Sequence, residues 1–238
     1  MAQEYNQLLA VYRRMFGMID AFHFNSQNTA DVYARYLSVP AESKVIPITH
    51  SGIKDHRRIK VFDGDVLRLG FIGSEAPYKG LPLLRKVIGE FNQEGFKDAL
   101  SLVVYGGRTG EDKEHKNIYY KGHFTSAMME DVFSKMDLLL VPSIWNETFS
   151  LVALEAISYG TPVLVSDKVG AKDIVEGYDV SFVYHTEDEL RAKLEKLVSD
   201  KSELIEYNRR ILSMPWQHDM REHAKEIVEK LYGCKSYY

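Results

Sequence analysis

"LRLGFIGSEAPYKG", residues 67–80, is the stretch on which the fold turns. It opens as a largely apolar run, the pattern of a strand covered on both faces, and closes on a loop bounded by Gly73 and Gly80. Leu81, Leu84, Val87, Ile88 and Phe91 then recur at helical spacing. The same alternation continues downstream. "LSLVVYG" (100–106), "IYYKG" (118–122), "LLLVPS" (138–143), "PVLVSD" (162–167) and "VSFVY" (180–184) read as strands. Met128, Met129, Val132, Phe133 and Met136 mark another helix. Strand–helix alternation of this kind predicts an α/β chain with a doubly wound parallel sheet. In such sheets ligands bind beyond the carboxyl ends of the strands. The chemistry therefore belongs in "GSEAPYKG", "YGGRTG", "KGHFTS" and "PSIWNETFS".

The remainder of the chain frames this sheet. "MIDAFHFNS" holds one strand-like run, "NTADVYARYL" a helix capped by Asn28 or Thr29, and "KVIPITHSGI" an extended stretch. "KDHRRIKVFDGD" reads as a polar, solvated connector. So little structure cannot make a core alone, and it looks like the tail end of a further domain. The amphipathic start, with Leu8, Leu9, Tyr12, Met15 and Phe16, is expected to pack on protein, with peripheral membrane contact as the alternative. Trp216, Met220, Ala224, Ile227, Val228 and Leu231 mark one face of a terminal helix. There is no internal repeat and no low-complexity segment.

Composition limits the function classes. The 238 residues are 45% hydrophobic and 27% charged, enough to bury a proper core, and the formal net charge is -4. With no long basic run, nucleic-acid binding through the overall field is not expected. The single cysteine, Cys234, allows no intrachain disulfide and fits a reducing compartment. The N-terminus does not read as a signal peptide, so a cytoplasmic location is expected, and the Asn146-Glu147-Thr148 sequon reads as coincidence. The eight histidines show no metal-ligand spacing. Gly106-Gly107-x-x-Gly110 has the wrong spacing for a dinucleotide fingerprint and reads as a turn, and Asp137 reads as the end of a helix.

"NETFSLVALE" (146–155) carries the most pointed chemistry. Glu147 and Glu155 flank an apolar run that leaves little polar face for the second carboxylate, which is costly unless something hydrogen-bonds to it. Asn146 and Thr148 are good capping types, so a helix is expected to start near Thr148 or Phe149 and to stop at Gly160. Its first N–H groups would face an anion such as phosphate. Glu155 would lie roughly 12 Å along the axis from Glu147 at about 1.5 Å per residue, the scale of a nucleotide sugar from hexose to ribose. Lys79, before Gly80, is a compact cation suited to a diphosphate.

These residues together resemble the C-terminal, donor-binding domain of family 4 glycosyltransferases, which have the GT-B fold. The loop from Gly73 to Lys79-Gly80, the "LVVYGG" segment with Gly106, the base-facing Gly122-His123-Phe124 and the Glu-x7-Glu pair of Glu147 and Glu155 match that family in order. His123 reads equally as a base-facing residue and as an ordinary polar residue after a strand. The resemblance implies a Rossmann-like half of a GT-B fold and a retaining, metal-independent transfer of a sugar from a nucleotide donor. No cofactor is implied; a UDP- or GDP-sugar is the substrate, and a glycan or lipid-linked molecule the acceptor.

Carried over, Glu147 contacts sugar hydroxyls and Glu155 the ribose. Lys79 neutralises diphosphate, and the backbones of Phe149, Ser150 and Leu151, after Thr148, hold the distal phosphate. Glu147 and Lys79 are the catalytic candidates. Residues 1–53 then read as the remnant of an acceptor-side domain and its linker, 54–215 as the donor-binding domain, and 216–238 as the helix that crosses back.

Two positions depart from the family. Ser74 stands where an arginine is frequent, a loss of about 1.5–3 kcal/mol for a charged hydrogen bond, with Arg108 and Lys121 as candidate replacements. Ser150 replaces a usual glycine. The acceptor-side glycine-rich loop and histidine have no counterpart. Two readings thus stand beside each other: a transferase completed by an oligomer or partner chain, and a module that binds a nucleotide sugar without transferring it. A GT-B phosphorylase or epimerase is a third.

Overall fold

A computed structural model describes residues 2–94, 96 and 98–233, so Cys234 lies outside the described residues. Helix α1 (Ala2–Phe16) leads to strand β1 (His23–Phe24), helix α2 (Gln27–Ala34) and strand β2 (Lys44–Val45), which pairs parallel with β1. The main unit follows: β3 (Leu67–Ile72), α3 (Leu81–Gln93), β4 (Leu100–Tyr105), β5 (Thr109–Glu111), β6 (Ile118–Gly122) and α4 (Met129–Ser134). It continues with β7 (Leu138–Val141), α5 (Leu151–Ser158), β8 (Val163–Ser166), α6 (Lys172–Tyr178), β9 (Val183–Tyr184), α7 (Glu187–Ser199), α8 (Ser202–Ser213) and α9 (Met220–Lys230).

Among the described residues the larger sheet has the order β5-β6-β4-β3-β7-β8-β9. All neighbours are parallel except β5 and β6, which form an antiparallel pair. Without β5 the order is that of a doubly wound sheet. The chain adds β4 and β6 on one side of β3 and returns to its other side with β7, so the strand order reverses between β3 and β7. A ligand crevice opens at such a reversal, beyond the carboxyl ends of the strands.

The expected core is largely present, for a simple reason. Every residue of β7 and β8 is buried, as strands covered on both faces require. Leu81, Leu84, Val87, Ile88 and Phe91 all turn inward from α3. On α4, Met129, Val132 and Phe133 are buried, as is Met136 just beyond its end, but Met128 sits in the preceding turn and stays exposed. The "VSFVY" run is not one strand. Val180–Phe182 form a 3-10 turn opened by Asp179, whose carboxylate accepts from the Ser181 N–H, and only Val183 and Tyr184 join the sheet. β5 is an addition that sequence pattern did not indicate, because its three residues are all exposed.

Several expectations about the flanks change. α2 is capped by Ser26, not Asn28 or Thr29; its hydroxyl accepts from the Thr29 N–H. The connector from 54 to 60 is partly pinned. Arg57 donates to the carbonyls of Ile211 and Met214, and Lys60 Nζ to that of Phe133 at 2.6 Å. Burial lowers the Lys60 ammonium to a pKa of about 8. Asp137 does follow a helix, but it also anchors the sheet: fully buried, it accepts from the backbone and guanidinium of Arg68. The amphipathic face of α1 packs on protein only in part: Phe16 lies against the rings of Phe22 and Tyr33 and Leu9 is half-buried, whereas Leu8, Tyr12 and Met15 are exposed. Trp216 precedes α9 rather than lying on it, and the Arg57 guanidinium lies 5.2 Å from its ring. The segment returns toward the first residues: Thr49 Oγ1 donates to the His218 carbonyl at 2.6 Å. No helix of the described residues is long and apolar enough to cross a membrane.

Candidate active site

Two loops meet where the strand order reverses. The one after β3 ends in a turn, Pro77–Lys79, followed by Gly80 at φ 83°. A side chain on Gly80 would place its Cβ 1.9 Å from the Pro142 carbonyl oxygen, so glycine is required both for the dihedral and for the approach. That contact seats Lys79 against the loop after β7. The Lys79 ammonium lies 3.0 Å from Glu147 Oε1, and Ser143 Oγ donates to Glu147 Oε2 at 2.5 Å. Both oxygens of this mostly buried carboxylate are therefore occupied within the chain. Ser143, the last residue of "LLLVPS", is a partner that sequence reading missed; only its place at a strand end hinted at it.

The loop from 146 to 150 is strapped down before the helix begins. The Glu147 N–H donates to the Lys168 carbonyl, and the Glu147 and Phe149 carbonyls accept from Gly170 and Ala171. From the first half of the chain, Ser26 Oγ donates to the Thr148 carbonyl at 2.7 Å, and Asn28 Nδ2 to that of Lys168 at 2.9 Å. Thr148 is thus held by its backbone and caps nothing. The helix starts later than expected, at Leu151, preceded by Ser150 at φ 106° and ψ 89°. A non-glycine residue there is strained, and strain of this kind clusters at functional sites. Because Glu147 lies outside the helix, helical rise does not set its distance from Glu155, and the 12 Å estimate does not apply.

A pocket of about 180 Å³ lies between these loops, lined among others by Gly73, Lys79, Ser143, Glu147, Ser150 and Leu151. Leu151 and Val152 at the start of α5 also line it, and N–H groups at a helix start have no partners inside the helix. Glu155 lies on the same helix but does not line this pocket. Its carboxylate, 19% exposed, meets His50 Nε2 at 3.2 Å through Oε1. Burial raises its pKa above the ordinary value of 4.5, and the hydrogen bond from His50 pulls the other way. The partner that the sequence demanded for Glu155 is thus a residue of the linker, 105 positions away in the chain.

The remaining expected residues form a second group beside β4 and β6. Gly106 donates its N–H to Gly122 and Gly73 to Tyr105, which ties the ends of β3, β4 and β6 together. Phe124 packs edge-on to Tyr105 at 5.4 Å, while His123 and Ser74 are exposed. Phe149 is buried, so only its backbone is available to a ligand. Arg108, a candidate for the charge missing at Ser74, is already engaged. It pairs with Glu75 at 3.4 Å and Asp112 at 3.3 Å and lies 4.0 Å over the Tyr120 ring. Among the described residues no group of three or more His, Cys, Asp or Glu lies together as metal ligands do.

The chain is 31% identical over 163 residues to D-inositol 3-phosphate glycosyltransferase of Stackebrandtia nassauensis, covering 60% of this chain and 36% of that protein. It is 27% identical over 188 residues to lipopolysaccharide 1,2-N-acetylglucosaminetransferase of Salmonella typhimurium, covering 72% of this chain and 46% of that one. It therefore spans less than half the length of these two relatives. Among solved structures, Anabaena HepE in complex with UDP and glucose superimposes with a TM-score of 0.71 at 18% identity, over 95% of this chain and 67% of that one. Sucrose-phosphate synthase from Thermosynechococcus elongatus gives 0.68 at 17%, over 96% and 61%. At such identities these likenesses establish the fold, a GT-B-type α/β architecture. Residues 52–212, which include β3 to β9 and both loops of the pocket, match the profile of the glycosyl transferases group 1, and the chain belongs to that family.

Proposed function

We propose that the chain is the donor-binding half of a retaining, metal-independent glycosyltransferase that uses a UDP- or GDP-sugar. The observation that carries this reading is the convergence of Lys79, Glu147 and the α5 N-terminus on one pocket at the strand-order reversal. In it, the diphosphate takes the Lys79 ammonium and the amides of Phe149, Ser150 and Leu151. Glu147 is thereby released to accept from hydroxyls of the sugar, and Glu155 from the ribose diol. Gly73 gives the diphosphate close access to the backbone, and Gly106, Gly122, His123 and Phe124 border the base. Lys79 and the amide dipoles stabilise the charge that grows on the leaving diphosphate, in a site preorganised for it. The complex of HepE with UDP and glucose supports this class of ligand for the fold.

Residues 1–53 belong, on this reading, to the acceptor side, 54–215 bind the donor, and 216–238 cross back. The two relatives carry different acceptors in their names, an inositol phosphate and a lipopolysaccharide; the acceptor class proposed here, a glycan or lipid-linked molecule, follows the second. On this reading the described residues bind the donor, and the remaining acceptor wall comes from further sequence, a partner chain or a second copy. Calorimetric titration with UDP-, GDP-, ADP- and dTDP-sugars tests the proposal. Saturable binding of a UDP- or GDP-sugar is the expected result, and no binding across the panel would overturn it.

A further inference from the structure

His50 stands between β2 and β3, in the linker and outside the segments assigned to the donor, yet it reaches the carboxylate assigned above to the ribose. Its ring is oriented by a second contact. The Gly52 N–H donates to His50 Nδ1 at 3.1 Å, so Nδ1 is an acceptor and carries no proton. The ring proton then resides on Nε2, which donates to Glu155 Oε1 at 3.2 Å. Residue 52 has to be small for this. A Cβ on Gly52 would lie 2.9 Å from His50 Cε1, inside the closest normal approach, and would push the ring away from Glu155. The backbone thus selects the tautomer, the tautomer makes the donor, and the donor holds one oxygen of a largely buried carboxylate.

We propose that His50 is a positioning residue for the ribose. By holding Oε1 of Glu155 it turns Oε2 toward the nucleotide and spares that carboxylate the search among rotamers that an unheld glutamate makes on binding. The proposal rests on the reading of Glu155 as the ribose acceptor. It adds to it a ribose site shared between α5 and the linker, so that a movement of the linker alters how firmly the nucleotide is gripped.

A purely structural His50, present only to satisfy a buried charge, would weaken all ligands equally when removed. A positioning His50 acts through the 2′,3′-diol. The test is therefore the ratio of affinities of UDP over 2′-deoxy-UDP, with GDP and 2′-deoxy-GDP in parallel, measured by calorimetry. The wild type is expected to favour the ribonucleotide about tenfold or more, the value of one hydrogen bond to a charged group. His50→Ala should bring the ratio to within about twofold of unity, and His50→Gln, whose amide N–H can replace the imidazole donor, should restore part of it. Gly52→Ala, which keeps both side chains but displaces the ring, should lower the ratio and decides the matter if His50→Ala does not fold. A ratio unchanged in the variants, whether or not both affinities fall, overturns the proposal and leaves Glu155 as the ribose acceptor. No ribose preference in the wild type overturns the assignment of Glu155 itself, and the proposal with it.

Discussion

The ammonium of Lys79 and the carboxylate of Glu147 meet at 3.0 Å across the point where the strand order reverses. One belongs to the loop after β3 and the other to the loop after β7, so the pair closes the crevice from both sides. A diphosphate entering the pocket competes with Glu147 for the same cation, and Glu147 is then free for a neutral donor such as a sugar hydroxyl.

Lys79→Ala should accordingly weaken UDP or GDP by about 10- to 100-fold, the worth of a charged hydrogen bond, and leave the nucleoside nearly unchanged. Arg108 does not rescue the variant, since Glu75 and Asp112 already hold its guanidinium. Equal losses for nucleotide and nucleoside would contradict the placement of diphosphate at Lys79.

Ser150→Gly should stabilise the fold. At φ 106° the serine occupies backbone space that favours glycine, and relief of that strain is worth about 1 kcal/mol after the greater freedom of an unfolded glycine is subtracted. For a chain of this size that is roughly 2–4 °C in Tm. An unchanged or lower Tm would show that the serine hydroxyl compensates for the strain.

Glu155→Gln should be more stable than the wild type at neutral pH. Burial raises the Glu155 pKa above 4.5, so between 4.5 and the raised value the folded chain holds a proton that the unfolded chain has released. Stability therefore falls as pH rises through that window, and the cost persists at neutral pH. Glutamine has no charge to desolvate and still accepts from His50 Nε2–H. Thermal melts of both proteins at several pH values should show the advantage of the variant shrinking as pH falls toward 4.5; a constant gap would contradict it.

The fold was legible because strands and helices alternate with buried, nearly continuous apolar runs, a signal that survives without any tertiary information. That Lys79, Glu147, Ser150 and Leu151 line one pocket was legible for the same reason: all four lie in or directly at the end of strand-to-helix connections, which a parallel sheet gathers at one end. What escaped depends on distant contacts. His50 reaches Glu155 from 105 residues away, and Ser26 holds the Thr148 carbonyl from 122 residues away. No local spacing encodes either. The start of α5 was misplaced because Asn146 and Thr148 have capping chemistry, whereas the strap to residues 168–171 keeps that stretch extended until the Ser150 turn. β5 carries no apolar periodicity at all, since its residues face solvent.

The 238-residue chain should bind donor yet transfer little on its own. Retaining transfer needs an acceptor held against the anomeric carbon, positioning worth about 7–11 kcal/mol of barrier. Outside the larger sheet and its helices the described chain offers α1, β1, α2 and β2 as an opposing wall. Incubation with donor and a panel of sugar acceptors, followed by mass spectrometry, should detect slow hydrolysis at most. Robust transfer by a monomer would contradict this.

On the proposed reading Glu147 and Glu155 grip opposite ends of one nucleotide sugar. Titrating Glu147→Gln and Glu155→Gln with a nucleoside diphosphate and with its sugar-bearing form tests it most directly. Glu155→Gln should weaken both ligands alike, because the ribose is common to them, whereas Glu147→Gln should weaken only the sugar-bearing one. Indistinguishable profiles for the two variants would contradict it.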